Sequence, residues 1–185
     1  LITSAFALVG ATSELMSEVS ELQTESAVKM RFMEACRAAF EATNANSSIE
    51  FEYFDRGGER YDTFLSLVNT PSAFDFGVNL DEEIERVVLA AEFRPDGGIR
   101  SRVYYMTEAD YEIAQQSEFA ENQAPYIDLI PRMTVLSWRF YDARSREWRA
   151  DLRGNFPCSL VELEIQTDGG SPRLRSIFFF VDQDE

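Results

Sequence analysis

The apolar residues repeat with a helical period up to about Ala45 and with a period of two beyond it, and this switch constrains the fold more than any other feature. From Thr12 to Ala45 there is neither Pro nor Gly, and Leu15, Val19, Leu22, Met30, Met33 and Phe40 fall on one stripe at helical spacing, with Ser26 in the gap. Glu14, Glu18, Glu21 and Glu25 keep that spacing on a second stripe, and Glu25 precedes Lys29 by four residues, an attractive pairing. Asn44, Asn46, Ser47 and Ser48 compete for backbone hydrogen bonds and end the helix. A helix of roughly thirty residues is long for a small globular domain, so half of it is expected to pack and half to reach outward.

Beyond the helix, Ile49-Glu50-Phe51-Glu52-Tyr53 alternates cleanly and Arg56-Gly57-Gly58 supplies a turn. Phe64–Val68 reads as a further strand, and Glu85–Arg94 with Ile99–Met106 flanks Pro95-Asp96-Gly97-Gly98 as a hairpin. Thr107 to Asn122 is polar and holds room for one short helix, with Thr107 and Asp110 spaced as a capping box. Met133–Asp142 is a strand with Leu136, Trp138 and Phe140 on one face, and Leu160–Gln166 with Leu174–Asp182 forms a second hairpin. Val161, Leu163 and Ile165 alternate with Glu162 and Glu164, which predicts one wet face. The expected class is therefore α+β: a long N-terminal helix, over 1–46, packed on an antiparallel β-sheet head domain over 47–185.

Composition removes whole classes of chemistry. The 185 residues contain no histidine, which excludes Ser-His-Asp and Cys-His catalysis and His-ligated zinc or haem. The net charge of −16 argues against nucleic-acid phosphates as a ligand, and most of it sits in residues 1–130, at −15 against −1 over 131–185. Two cysteines, Cys36 and Cys158, are too few for a disulfide framework and read as buried free thiols, with a bridge as the alternative.

Candidate sites are few. Leu1–Ala11 is mostly apolar and runs into the helical pattern without a break, as the tail of a longer hydrophobic helix would, although it is too short to cross a bilayer. Glu162 and Glu164 share a strand face and could be paired as glycosidase carboxylates, but among so many acids such a pairing is expected by coincidence and solvated surface charge is the favoured reading. Asp75, Asp81, Glu82 and Glu83 lack the spacing of a calcium loop. Trp138, Tyr141 and Trp148 could line a groove for a sugar or peptide, or serve as core. No glycine-rich phosphate loop is present, and the expectation is a protein without catalysis, metal or cofactor.

Three segments carry a resemblance: Leu136-Ser137-Trp138-Arg139-Phe140-Tyr141-Asp142, then Glu147-Trp148, then Asn155-Phe156-Pro157-Cys158-Ser159-Leu160-Val161-Glu162-Leu163-Glu164-Ile165. Together with Tyr126-Ile127-Asp128-Leu129-Ile130 and the hairpin over Ile84–Tyr105, this pattern resembles the J-type minor pseudopilins of type II secretion. That family's cleavage signature, a glycine followed by Phe-Thr-Leu-x-Glu, would stand upstream of Leu1. The resemblance implies a pilin-like structural subunit that joins I-type and K-type minor pseudopilins at the pseudopilus tip, with secreted cargo as a further partner. It further implies a periplasmic protein held at the inner membrane through an N-terminal segment before assembly. On that reading Leu8, Leu15, Val19 and Leu22 make helix–helix contacts, Met30, Met33 and Phe40 lie under the sheet, and Glu14, Glu18, Glu21 and Glu25 face cationic partner surfaces. The alternative expectation is an extracytoplasmic β-rich binding module for a peptide or glycan.

Overall fold

The structure is a computed structural model that describes residues 26–44, 46–58, 60–70, 73–74, 84–95, 97–116, 124–153, 158–167 and 172–180. The chain divides into two compact units, Leu1–Glu34 and Ala35–Glu185. Helix α1 occupies 26–41 of the described residues. The strands follow as β1 (Ser48–Asp55), β2 (Tyr61–Val68), β3 (Arg86–Phe93) and β4 (Ile99–Met106). Helix α2 (Glu108–Gln116) precedes β5 (Tyr126–Met133), β6 (Val135–Asp142), β7 (Glu147–Arg149), β8 (Cys158–Gln166) and β9 (Leu174–Phe179).

The expected α+β class, a long pilin-like helix packed on one antiparallel sheet, does not hold. Among the described residues the protein is mostly β, with short helices and two antiparallel sheets ordered β1-β2-β3-β4-β5 and β7-β6-β8-β9. The reason lies in β3 and β4, where almost every residue is buried. A sheet whose central strands are apolar on both faces needs a cover on both faces, and one helix supplies only one. Helix α2 covers the first face: Tyr111 and Ala114 join Phe64, Val88, Ala90, Tyr104 and Met106 in one cluster. The second face meets the four-stranded sheet, with the Phe51 and Phe140 rings 5.1 Å apart.

Thr134 makes the second sheet possible. It is the one residue between β5 and β6, and its N–H donates to the Gln166 carbonyl at 2.8 Å, so pairing passes from β4 to β8 in a single bend. Pro131 in β5 has no N–H to donate, which suits an edge strand, and the β4–β5 register is irregular around Ile99 and Ser101. Turn chemistry follows the sequence closely. Gly57 and Gly58 have φ of 82° and 66°, the left-handed region that glycine adopts without a steric penalty. The Asp110 N–H donates to Thr107 Oγ1 at 3.2 Å and the Thr107 hydroxyl to Asp110 Oδ2 at 2.8 Å, capping α2.

The face under α2 is also polar. Arg86, 3% exposed, donates to Glu108 and Glu50, and its guanidinium lies 3.8 Å from the centre of the Tyr111 ring. Burial works against that charge, but the hydrogen bonds to Glu50 and Glu108 outweigh it and hold the Arg86 pKa above its usual value. Burial also pushes the Tyr111 and Tyr104 hydroxyls up to about 12, with the charges of Glu52 and Glu92 adding to it. Tyr104 donates to Glu92 at 3.1 Å and Arg102 to Asp128 at 2.7 Å.

At the end of α1, Phe40 stacks on Phe178 with ring centroids 5.0 Å apart and planes 5° from parallel, and lies 6.3 Å from Trp138. Thr43 closes the helix by donating to the Phe40 carbonyl at 2.6 Å. The buried positions of α1 are Lys29, Phe32, Met33, Cys36, Ala39 and Phe40, with Thr43 buried just beyond its end. The expected stripe is therefore turned by about one residue: Met33 and Phe40 are buried, whereas Met30 is 56% exposed. Residues 32, 36, 39 and 43 supply the missing half of the true stripe, and Cys36 and Ala39 are too small to register strongly as an apolar pattern.

Candidate functional site

The register of the five-stranded sheet lays its residues in cross-strand rows on the face toward the second sheet. One row is Phe51, Leu65, Leu89 and Val103, paired in turn across β1 to β4, and it is large and apolar. The next row is Tyr53, Thr63, Ala91 and Ser101. Its three inner members are small, and beyond them Phe93 pairs with Ile99 to restore bulk. A row of small side chains between two rows of large ones leaves a trough. Thr134 and the first residues of the facing strand β6, Val135 to Trp138, roof it, and the result is a cleft of about 480 Å³.

The walls are largely apolar: Phe51, Phe93, Ile99, Leu136 and Trp138, with Ala91 at the floor. Tyr53 and Tyr61, 39% and 44% exposed, stand at the mouth with ring centroids 5.7 Å apart. Among the described residues Asp151 is the one charged lining residue, and it is already engaged by Arg149 at 3.8 Å and Arg153 at 3.7 Å. Such a volume with apolar walls and a few polar groups is the usual form of a small-molecule site.

The polar groups are unusual. Thr63 Oγ1, Ser101 Oγ and Trp138 Nε1 are buried and lack a hydrogen-bond partner. Leaving such a group unpaired costs about 1–3 kcal/mol each. Thr63 and Ser101 flank Ala91 in the small row, and at about 4.8 Å between strands their positions lie about 10 Å apart. Trp138 comes from the opposite sheet. Sequence reasoning passed over this site, although Thr63 and Ser101 are the hydroxyl residues in the inward phase of otherwise apolar strands.

The expected groove of Trp138, Tyr141 and Trp148 does not form. Trp138 and Tyr141 are three apart on a strand and so point to opposite faces. Trp138, 3% exposed, turns inward, while Tyr141 and Trp148 pack on each other outside at 5.4 Å. Glu162 and Glu164 do share the outer face of β8, where they are clamped by arginines. Arg139 donates to Glu162 at 2.7 Å, and Arg173 and Arg175 donate to Glu164 at 2.8 and 2.9 Å. Those bonds hold the Glu164 pKa below the usual glutamate range, the reverse of what a general acid needs.

Leu8, Glu14, Leu15, Glu18, Val19, Glu21, Leu22 and Glu25, expected at a partner interface, lie outside the described residues, as do Asp75, Asp81, Glu82, Glu83 and the Asn155–Pro157 step. Cys36 and Cys158 are both buried thiols outside any disulfide, and burial pushes the Cys36 thiol strongly up. Among the described residues no three Cys, Asp or Glu side chains converge as metal ligands, and no helix is long and apolar enough to cross a membrane.

Fold and cleft together define a two-sheet antiparallel β protein with an apolar recess between its sheets. No family model matches the chain, and no curated protein matches it.

Proposed function

We propose that this chain is a structural subunit that works by assembly and not by catalysis, of the minor pseudopilin kind that its sequence resembles. On this reading it joins I-type and K-type partners at the tip of a type II secretion pseudopilus. It would reside in the periplasm, held at the inner membrane before assembly. The observation that carries the reading is the outer face of β9. Ile177 and Phe179 are 49% and 79% exposed on an edge strand that pairs only with β8 among the described residues. An exposed apolar edge is an aggregation hazard unless a partner covers it. The segments that carry the resemblance support the same reading, since β6, β7 and β8 are hydrogen-bonded neighbours in that one sheet.

The test is direct binding of the purified protein to an I-type minor pseudopilin, read by sedimentation velocity. A defined complex that Phe179→Asp weakens by at least about tenfold supports the reading, as expected for an apolar residue buried at an interface. Failure of the unaltered protein to bind either an I-type or a K-type subunit refutes it.

A further inference from the structure

We propose that the cleft between the two sheets binds a small, uncharged, apolar molecule that carries a hydrogen-bond acceptor such as a carbonyl oxygen. Three features of the site select that chemistry. The size, about 480 Å³, suits a ligand of one or two rings or a short aliphatic chain. Among the described residues the lining offers no cation to hold an anion, and its one carboxylate, Asp151, is occupied by Arg149 and Arg153. Two of the lining residues carry a buried polar atom without a partner: Trp138, whose indole N–H is an obligate donor, and Thr63, whose hydroxyl can donate. An acceptor is the only group that can satisfy the indole.

Thr63 and Trp138 both line the cleft, so a ligand within it reaches their polar atoms after a small adjustment. The Thr63 hydroxyl turns about a single side-chain bond, and the indole requires a slight shift of its ring. The chain keeps polar residues on the row where Val or Ala would cost nothing, and a ligand acceptor removes the cost of doing so. A ligand here needs nothing from β9, so failure of partner binding and failure of ligand binding are separate results.

The experiment uses three naphthalenes of nearly equal shape: 2-acetylnaphthalene, 2-ethylnaphthalene and 2-naphthoate. Binding is followed by the indole N–H resonances of the ¹⁵N-labelled protein, which has two tryptophans. The ketone should bind saturably and move the Trp138 resonance while leaving Trp148 in place. The hydrocarbon should bind about tenfold more weakly, the effect of one net hydrogen bond, and the carboxylate more weakly still. Ala91→Leu should fill the trough and abolish ketone binding. Thr63→Val, which keeps the shape of the side chain, should narrow the preference for ketone over hydrocarbon even if the larger substitution fails to fold. Equal affinity for ketone and hydrocarbon, or an unmoved Trp138 resonance at saturating ketone, overturns the proposal. So does a Trp138 shift that follows protein concentration and not the ketone, which would assign the cleft to a second copy of the chain.

Discussion

Phe40 tests whether the last turns of α1 belong to the core of the β unit. Its ring is 3% exposed, stacked on Phe178 and angled against Trp138, so Phe40→Ala removes a buried aromatic side chain and both ring contacts. Truncating a buried Phe costs about 3–5 kcal/mol, and two aromatic contacts of about 0.5–1.5 kcal/mol each place this site in the upper half of that range. For a unit of this size each kcal/mol lowers Tm by about 2–4 °C, so a loss of about 4 kcal/mol predicts a fall of about 8–16 °C. Urea unfolding followed by both circular dichroism and tryptophan fluorescence is the assay. The midpoint should drop with an unchanged slope, which shows that stability and not compactness has changed. Met30→Ala is the control: at 56% exposed it should shift stability by no more than about 0.5 kcal/mol. A loss below about 1 kcal/mol at Phe40, or an equal loss at Met30, would refute the packing described here and restore the stripe expected from sequence.

Glu164→Gln should lower the urea midpoint at pH 7 and lose its effect in acid. The Arg173 and Arg175 hydrogen bonds depress the folded pKa, so their contribution is present above the ordinary glutamate range and disappears as pH falls below about 4. Alkaline titration of tyrosine absorbance should show two of the seven tyrosines, Tyr104 and Tyr111, ionising only near 12. Because their folded pKa values are raised, stability should decline as pH rises from about 10 towards 12; early titration of all seven would contradict the burial of both hydroxyls. Cys36 and Cys158 should react with a thiol reagent only after unfolding, and a non-reducing mass equal to that of the doubly reduced chain should confirm that they are unbridged.

Several elements were legible because their signals are local. The hairpin of β3 and β4, the end of α1 a few residues before Asn44 and the Thr107–Asp110 cap depend on residues a few positions apart. Strand β5 was harder to read, since Pro131 interrupts it and its edge position is what makes a proline tolerable there. The short β7 takes its pairing from β6 across a tight turn and has little periodicity of its own.

The sequence alone determined where the helical period gives way to strands and where the β3–β4 and β8–β9 hairpins lie, because periods of 3.6 and two are set by neighbours along the chain. It also determined what the protein lacks, namely any imidazole and any basic footprint. Only the tertiary structure decided that the strands divide into two sheets at Thr134, that the α1 stripe turns Met30 outward, and that Thr63, Ala91 and Ser101 align to open a cleft opposite Trp138. Those outcomes rest on register between strands far apart in the chain, where each residue's surroundings are fixed by partners that no local pattern names.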